Sequence, residues 1–326
     1  VEMAKIAPAD EYSFIASKEL LQKFQIQEDI FIDSYDTKEP SVDIIRDRAS
    51  EVEDIALSIK GITNSDGADS SWGEGETLLM TSNGFFGSSK KSNHSVSVVV
   101  IAEKNGKMER DYDYSSKVYG EDLKNGENIG REAAKKTLAK IGAKKPNTGQ
   151  YPVIFDPRVS RSIASHFASA INGSSIARKT SFLKDSLNDK IANESVTLID
   201  DPFLKRGLGS RLFDAEGLGT SKNILIKDGV LESWLLDLSS AKQLNTSPTA
   251  NAKRGISGPP APGTTNLMLL KGEVTPENLI SSVSSGFYVT DMIGSSISMV
   301  TGDYSRGASG FWIENGELST PITEAT

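Results

Sequence analysis

The chain has 326 residues, enough for about two domains at ~150 residues each, and its 37% hydrophobic and 25% charged residues match ordinary globular usage and argue against disorder, collagen or coiled coil. A formal charge of -8, from 36 Lys and Arg against 44 Asp and Glu, without a dense basic run, argues against an extended phosphate-binding face. No cysteine and only His94 and His166 exclude disulfides and thiolate chemistry and starve zinc of ligands. No apolar run approaches the ~20 residues that span a bilayer, so neither membrane nor direct nucleic-acid contact is expected.

Residues 1–40 read as a linker or irregular segment, with a short helical possibility at Lys18 to Phe24. From Ser41 apolar residues recur every three or four positions to Ile59, an amphipathic helix capped by Ser41 and ended by Gly61. The period then falls to two from Ile62 to Val118, with Asn83-Gly84 and Asn105-Gly106 as hairpin turns, which predicts an antiparallel meander. A second helix is expected from about Tyr119 to Ile141, weakened by Gly126 and Gly130. It completes an N-terminal α/β domain over 41–145.

A domain over 150–326 opens with a strand at Val153 to Phe155 and a helix capped by Asp156, begun by Pro157 and buried along Ile163, Phe167, Ala170 and Ile171. Strands follow at Val196 to Ile199, Asn223 to Lys227, Val230 to Leu238, Asn266 to Leu270, Gly286 to Ile293, Ser296 to Val300 and Gly310 to Leu318. A helix at Pro276 to Val283 and a long loop between Asn245 and Gly263 interrupt them. The fold class is α+β: a helix-and-meander domain, then a mostly antiparallel, half-barrel-like domain with a few helices.

Candidate sites are few, and no residue is assigned a catalytic role. Glu109, Asp111 and Asp113 share one face of a strand, where they form a solvated sheet face or hold a hard cation. Asp214 and Glu216, in a glycine-rich stretch from Gly207 to Gly219, fit a cation or a peptide amine, with tight-turn geometry as the rival. Asp303, Tyr304 and Arg306 lie in the most site-like run, Thr301 to Gly310, and suit a peptide terminus or an internal salt bridge. His166 reads as a core-edge residue and His94 as a surface one.

With these segments placed, the chain resembles the TldD/PmbA family, often labelled modulators of DNA gyrase, and specifically its TldE (PmbA) branch. The resemblance rests on Ile101 to Tyr112, Val153 to Phe155 with Ala170 to Gly173, Ser181 to Leu187, Phe213 to Gly217, Ile226 to Leu231, and Thr301 to Ala308. It implies a cytoplasmic metalloprotease formed with a TldD-like subunit and acting on unfolded or extended peptides such as microcin precursors and antitoxins. In the TldD branch a His-Glu-x-x-x-His helix and a later cysteine hold the metal. Ser165, His166 and Ala170 occupy the matching positions, so the resemblance implies no catalytic zinc in this chain and zinc in the partner. It also implies further segments before Val1 and after Thr326. Two alternatives stand beside this reading. One is a homodimeric modulator without proteolysis, the other a self-sufficient hydrolase using a cation held by Asp111 and Asp113 or by Asp214 and Glu216.

Overall fold

Ser17 and Ser41 each accept, on the side-chain oxygen, the backbone N–H three residues on, and so begin α1 (Lys18–Lys23) and α2 (Val42–Leu57). The computed structural model describes residues 6, 8, 10–27 and 29–326, the side chain of residue 295 excepted. The two-residue period gives a three-stranded antiparallel sheet in the order β1 (Asn64–Met80), β2 (Phe86–Lys104), β3 (Lys107–Lys117). Asn105 and Gly106 both take positive φ, 54° and 76°, as a type I′ turn requires. At the first turn only Gly84 does; Asn83 instead donates its amide to the carbonyl of Ala16 at 2.7 Å.

Val96, Val98 and Val100 of β2 bury against Val52 and Ala56 of α2 and against Ile129 and Ala133 of α3 (Gly126–Ala139). The helix expected from Tyr119 starts later. A short 3₁₀ turn occupies Gly120–Asp122, and Asn125 caps α3 by accepting the N–H of Asn128. Gly126 therefore sits at the helix start, and Gly130 is a crossing point rather than a weakness. A Cβ at Gly130 would lie 2.8 Å from the Val52 carbonyl oxygen, so the missing side chain lets α2 and α3 approach closely.

The C-terminal part holds two four-stranded sheets. One runs β10 (Leu267–Leu269), β5 (Leu198–Asp200), β6 (Asn223–Lys227), β7 (Val230–Leu231); the other runs β13 (Glu317–Ala325), β12 (Tyr304–Glu314), β11 (Ser285–Ile297), β4 (Val153–Phe155). All the pairings are antiparallel except β4 with β11. The helices here are α4 (Pro157–Ala170), α5 (Gly173–Ala177), α6 (Leu238–Gln243) and α7 (Pro276–Ser281), and a small ladder joins β8 (Ala252–Lys253) to β9 (Ala261–Pro262).

Four expectations change. The core side of α4 holds Ala164, Phe167, Ala168, Ala170 and Ile171, so Phe167, Ala170 and Ile171 stand in the core as expected, while Ile163 is exposed. The strand expected over Val230 to Leu238 is two residues long before the chain turns toward α6, whose cap Asp237 accepts the N–H of Ser240. Gly286 to Ile293 and Ser296 to Val300 contribute to one irregular strand, and Thr301 to Gly310 is mostly β12 rather than a loop. Finally, residues 10–27 and 29–40 are docked instead of linking freely. Ala16, Leu20, Leu21 and Phe24 pack with Leu218, Leu238 and Ala250, because α1 has an apolar side to cover. The architecture is α+β and mostly antiparallel.

Candidate functional site

The C-terminal half of α4 and the β11–β12 hairpin bring His166, Tyr304 and Arg306 together. The His166 and Tyr304 rings meet edge to face with centroids 6.0 Å apart. Burial first, and then the nearby Arg306 guanidinium, hold the His166 imidazole below its ordinary pKa, so at neutral pH it is uncharged. Its Nδ1 is buried without a hydrogen-bond partner. Tyr304 is exposed, with its hydroxyl 3.3 Å from the Met292 sulfur, and Arg306 Nε donates to the Ile293 carbonyl at 3.4 Å.

Asp303 fixes the turn beside them. Its carboxylate accepts the Thr301 hydroxyl at 2.6 Å, and its carbonyl accepts the Ser298 N–H. No ion pair joins Asp303 to Arg306 among the described residues. An open groove of about 520 Å³ runs along Ser296, Ile297, Ser298, Asp303, Tyr304 and Ser305. Phe182, which the sequence reading passed over, lies against Gly302 and hydrogen-bonds through its N–H to Met299. Its only sequence signal is its place in the Ser181 to Leu187 run. The cluster presents aromatic faces, a guanidinium and a hydroxyl beside an open groove, a surface suited to holding an extended chain.

Asp214 and Glu216 lie in a different place. Asp214 is buried and accepts the N–H groups of Glu216 and Leu218 on one oxygen and that of Ala252 on the other. Those three bonds fasten the 214–218 loop to β8, which is the tight-turn role. Glu216 accepts the N–H of Leu238 at 2.8 Å, and burial, reinforced by Asp214 and Asp237, pushes its carboxyl up to about 8.

The carboxylate row on β3 is not a solvated face. Asp111 and Asp113 are buried, and the chain's own cations fill the role proposed for a metal. Lys140 Nζ lies 2.9 Å from Asp111, which also receives the Arg158 guanidinium of α4; Lys136 and Lys124 bind Asp113 at 2.6 and 3.3 Å. Burial pushes the Asp111 carboxyl up, but Arg158 and Lys140 outweigh it and leave it below the usual range. Arg158 also donates to the Thr290 carbonyl of β11 at 2.8 Å, which ties the two parts of the molecule together. Nor is His94 a surface residue. It is buried on β2, 3.2 Å from Asp36, and burial holds its pKa down. A second arginine bridge lies nearby: Arg206 stacks on Tyr119 at 3.7 Å and reaches Asp33, Glu121 and Asp122 at 2.9, 3.1 and 3.0 Å.

Residues 35–141 match the PmbA/TldA metallopeptidase central domain and residues 148–326 the C-terminal domain of the same description. The chain is 36% identical to the metalloprotease PmbA of Escherichia coli O157:H7, over all of its own length and 70% of that protein. This chain belongs to the PmbA/TldD metallopeptidase family. A PmbA homologue from Haemophilus influenzae is 33% identical over 99% of the chain and 69% of that protein. Among solved structures, a proposed modulator of DNA gyrase from Bacteroides thetaiotaomicron superposes with a TM-score of 0.87 at 31% identity, covering 99% of this chain and 71% of that one. TldE from Thermococcus kodakarensis shares the fold, with a TM-score of 0.84 at 24% identity over 98% of this chain and 72% of that one.

Metalloproteases require a metal, and Ser165, His166 and Ala170 of α4 do not make up a set of metal-binding side chains. Ser165 is exposed, and Ala170, buried in the core with Ile171 and Leu225, offers no donor atom. His166 stands alone between them, and the charge felt there is the cationic Arg306. Among the described residues no group of three or more His, Asp or Glu side chains is placed to hold a metal ion, and none forms a membrane-spanning helix.

Proposed function

We propose that this chain is the TldE-like subunit of a heterodimeric metallopeptidase, holding extended peptides while a TldD-like partner in the cytoplasm supplies zinc and the hydrolytic chemistry. The observation that carries this reading is family membership joined to an α4 helix on which the positions that the resemblance matches to metal ligands, Ser165 and Ala170, are an exposed serine and a core alanine. The His166, Tyr304 and Arg306 surface, with the turn at Asp303, is the proposed peptide-holding element, whereas Asp214 and Glu216, elsewhere in the fold, fix the geometry of their own loop. The outer edges of β13 and β1 provide unpaired backbone groups to which an extended chain can add hydrogen bonds.

The test is cleavage of an unfolded peptide by each subunit alone and by both together, with metal analysis of each. The expected outcome is activity only in the mixture and zinc only with the partner. Full activity of the partner alone would overturn the proposal.

A further inference from the structure

Arg211, in the loop leading to Asp214, carries a charge that no ion pair matches among the described residues. Its Nε and Nη2 atoms are both buried and make no hydrogen bond. These two N–H groups form one edge of the planar guanidinium fork, the edge that receives the two oxygens of a carboxylate side by side. A buried donor left unmet costs free energy, and a charged one more.

The nearby carboxylates do not cap the fork. Asp200 is committed to the Thr265 N–H at 2.6 Å and the Asn251 amide at 2.9 Å, and Asp214 to three backbone N–H groups. They balance Arg211 only through space.

Two further cations feel the Arg211 charge. Lys91 comes from β2, and Lys253 from β8, its stem lying over Gly263. Burial first, then Arg211 and Lys253, hold the Lys91 ammonium below the ordinary lysine range, and the field of Arg211 acts on Lys253 as well. None of the three forms an ion pair among the described residues, although Lys90, next in the chain, pairs with Glu74.

We propose that Lys91, Arg211 and Lys253 form a cradle for a carboxylate, either the C-terminal group of a peptide or an acidic side chain within it. The peptide source rests on the function proposed above; the cradle itself does not. The test uses the full-length protein and calorimetry with four versions of one extended peptide: free C-terminus, C-terminal amide, and the amide carrying an internal Asp or Asn. In parallel, succinate alone is assayed for its effect on Tm.

A carboxylate is expected to tighten binding about tenfold over the uncharged peptide. The gain should fall below about twofold in Lys91→Gln/Lys253→Gln, and also in Arg211→Lys, which keeps the charge but loses the fork. Whether the terminus or the Asp gives the gain identifies the source. Succinate should raise the Tm of the wild type but not of the double lysine variant, whose own folding is checked by circular dichroism. Equal binding of all four peptides, with a succinate effect that the variants do not change, overturns the cradle and leaves the peptide-holding function standing. No peptide binding, with a succinate effect lost in the variants, does the reverse.

Discussion

Asp111 is a carboxylate that has surrendered its water and is kept ionised by Arg158 and Lys140. Removing one partner of such a buried group leaves the other uncompensated, so Arg158→Ala should cost about 3–5 kcal/mol in urea unfolding. Because the folded carboxyl is depressed, that stabilisation is present above the unfolded carboxylate pKa and disappears as acid protonates the folded group. Glu216 works with the opposite sign. Its folded value of about 8 against an ordinary 4.5 means the fold holds the proton longer than the unfolded chain does. Stability should therefore decline as pH rises from about 5 to 8, by on the order of 3 kcal/mol, and level off above. Glu216→Gln should flatten that slope in melts at several pH values. Neither behaviour is legible from the residues alone. The alternation of Glu109, Asp111 and Asp113 shows that they share a face, but not that Lys136, Lys140 and Arg158 cover it, since those partners lie far along the chain.

Local pattern served best where a single element decides its own geometry. The Asp156-Pro157 start of α4, the Ser41 cap and the Asn105-Gly106 turn all stand where the sequence puts them, because each is settled by groups a few residues apart. Strand lengths and helix rotation were less legible, since they depend on what packs opposite: Ile163 satisfies an apolar pattern yet faces out, and Val230 to Leu238 has strand propensity without a long partner. The docking of α1 is also a matter of close approach. A Cβ at Gly219 would stand 2.2 Å from the Gln25 carbonyl oxygen, and the Gly219 N–H donates to Phe24. Gly219→Ala should therefore release the segment around α1, seen as faster proteolysis near residues 16–26 and a loss of about 1–3 kcal/mol. That Ser165, His166 and Ala170 share one helix follows from local pattern, whereas the meeting of His166 with Tyr304 needed two elements brought together.

Across the molecule, two arginines couple the meander to the C-terminal sheets, Arg158 through Asp111 and Arg206 through Asp33, Glu121 and Asp122. The wild type should melt in one calorimetric transition, and Arg158→Ala/Arg206→Ala should resolve it into two. The hairpin of β1 and β2 is the third link: Phe85 at its tip meets the edge of Phe213 at 5.3 Å. That contact joins residues more than a hundred positions apart. At ~10 residues per second the ribosome delivers Phe213 on the order of ten seconds after Phe85. During that interval the nascent hairpin waits without its dock, displaying Leu78, Met80 and Phe86, which stay exposed even in the finished fold. Production of this protein should thus be limited by the hazard of two unfinished copies sticking together, and should improve when a chaperone that shields nascent chains is supplied.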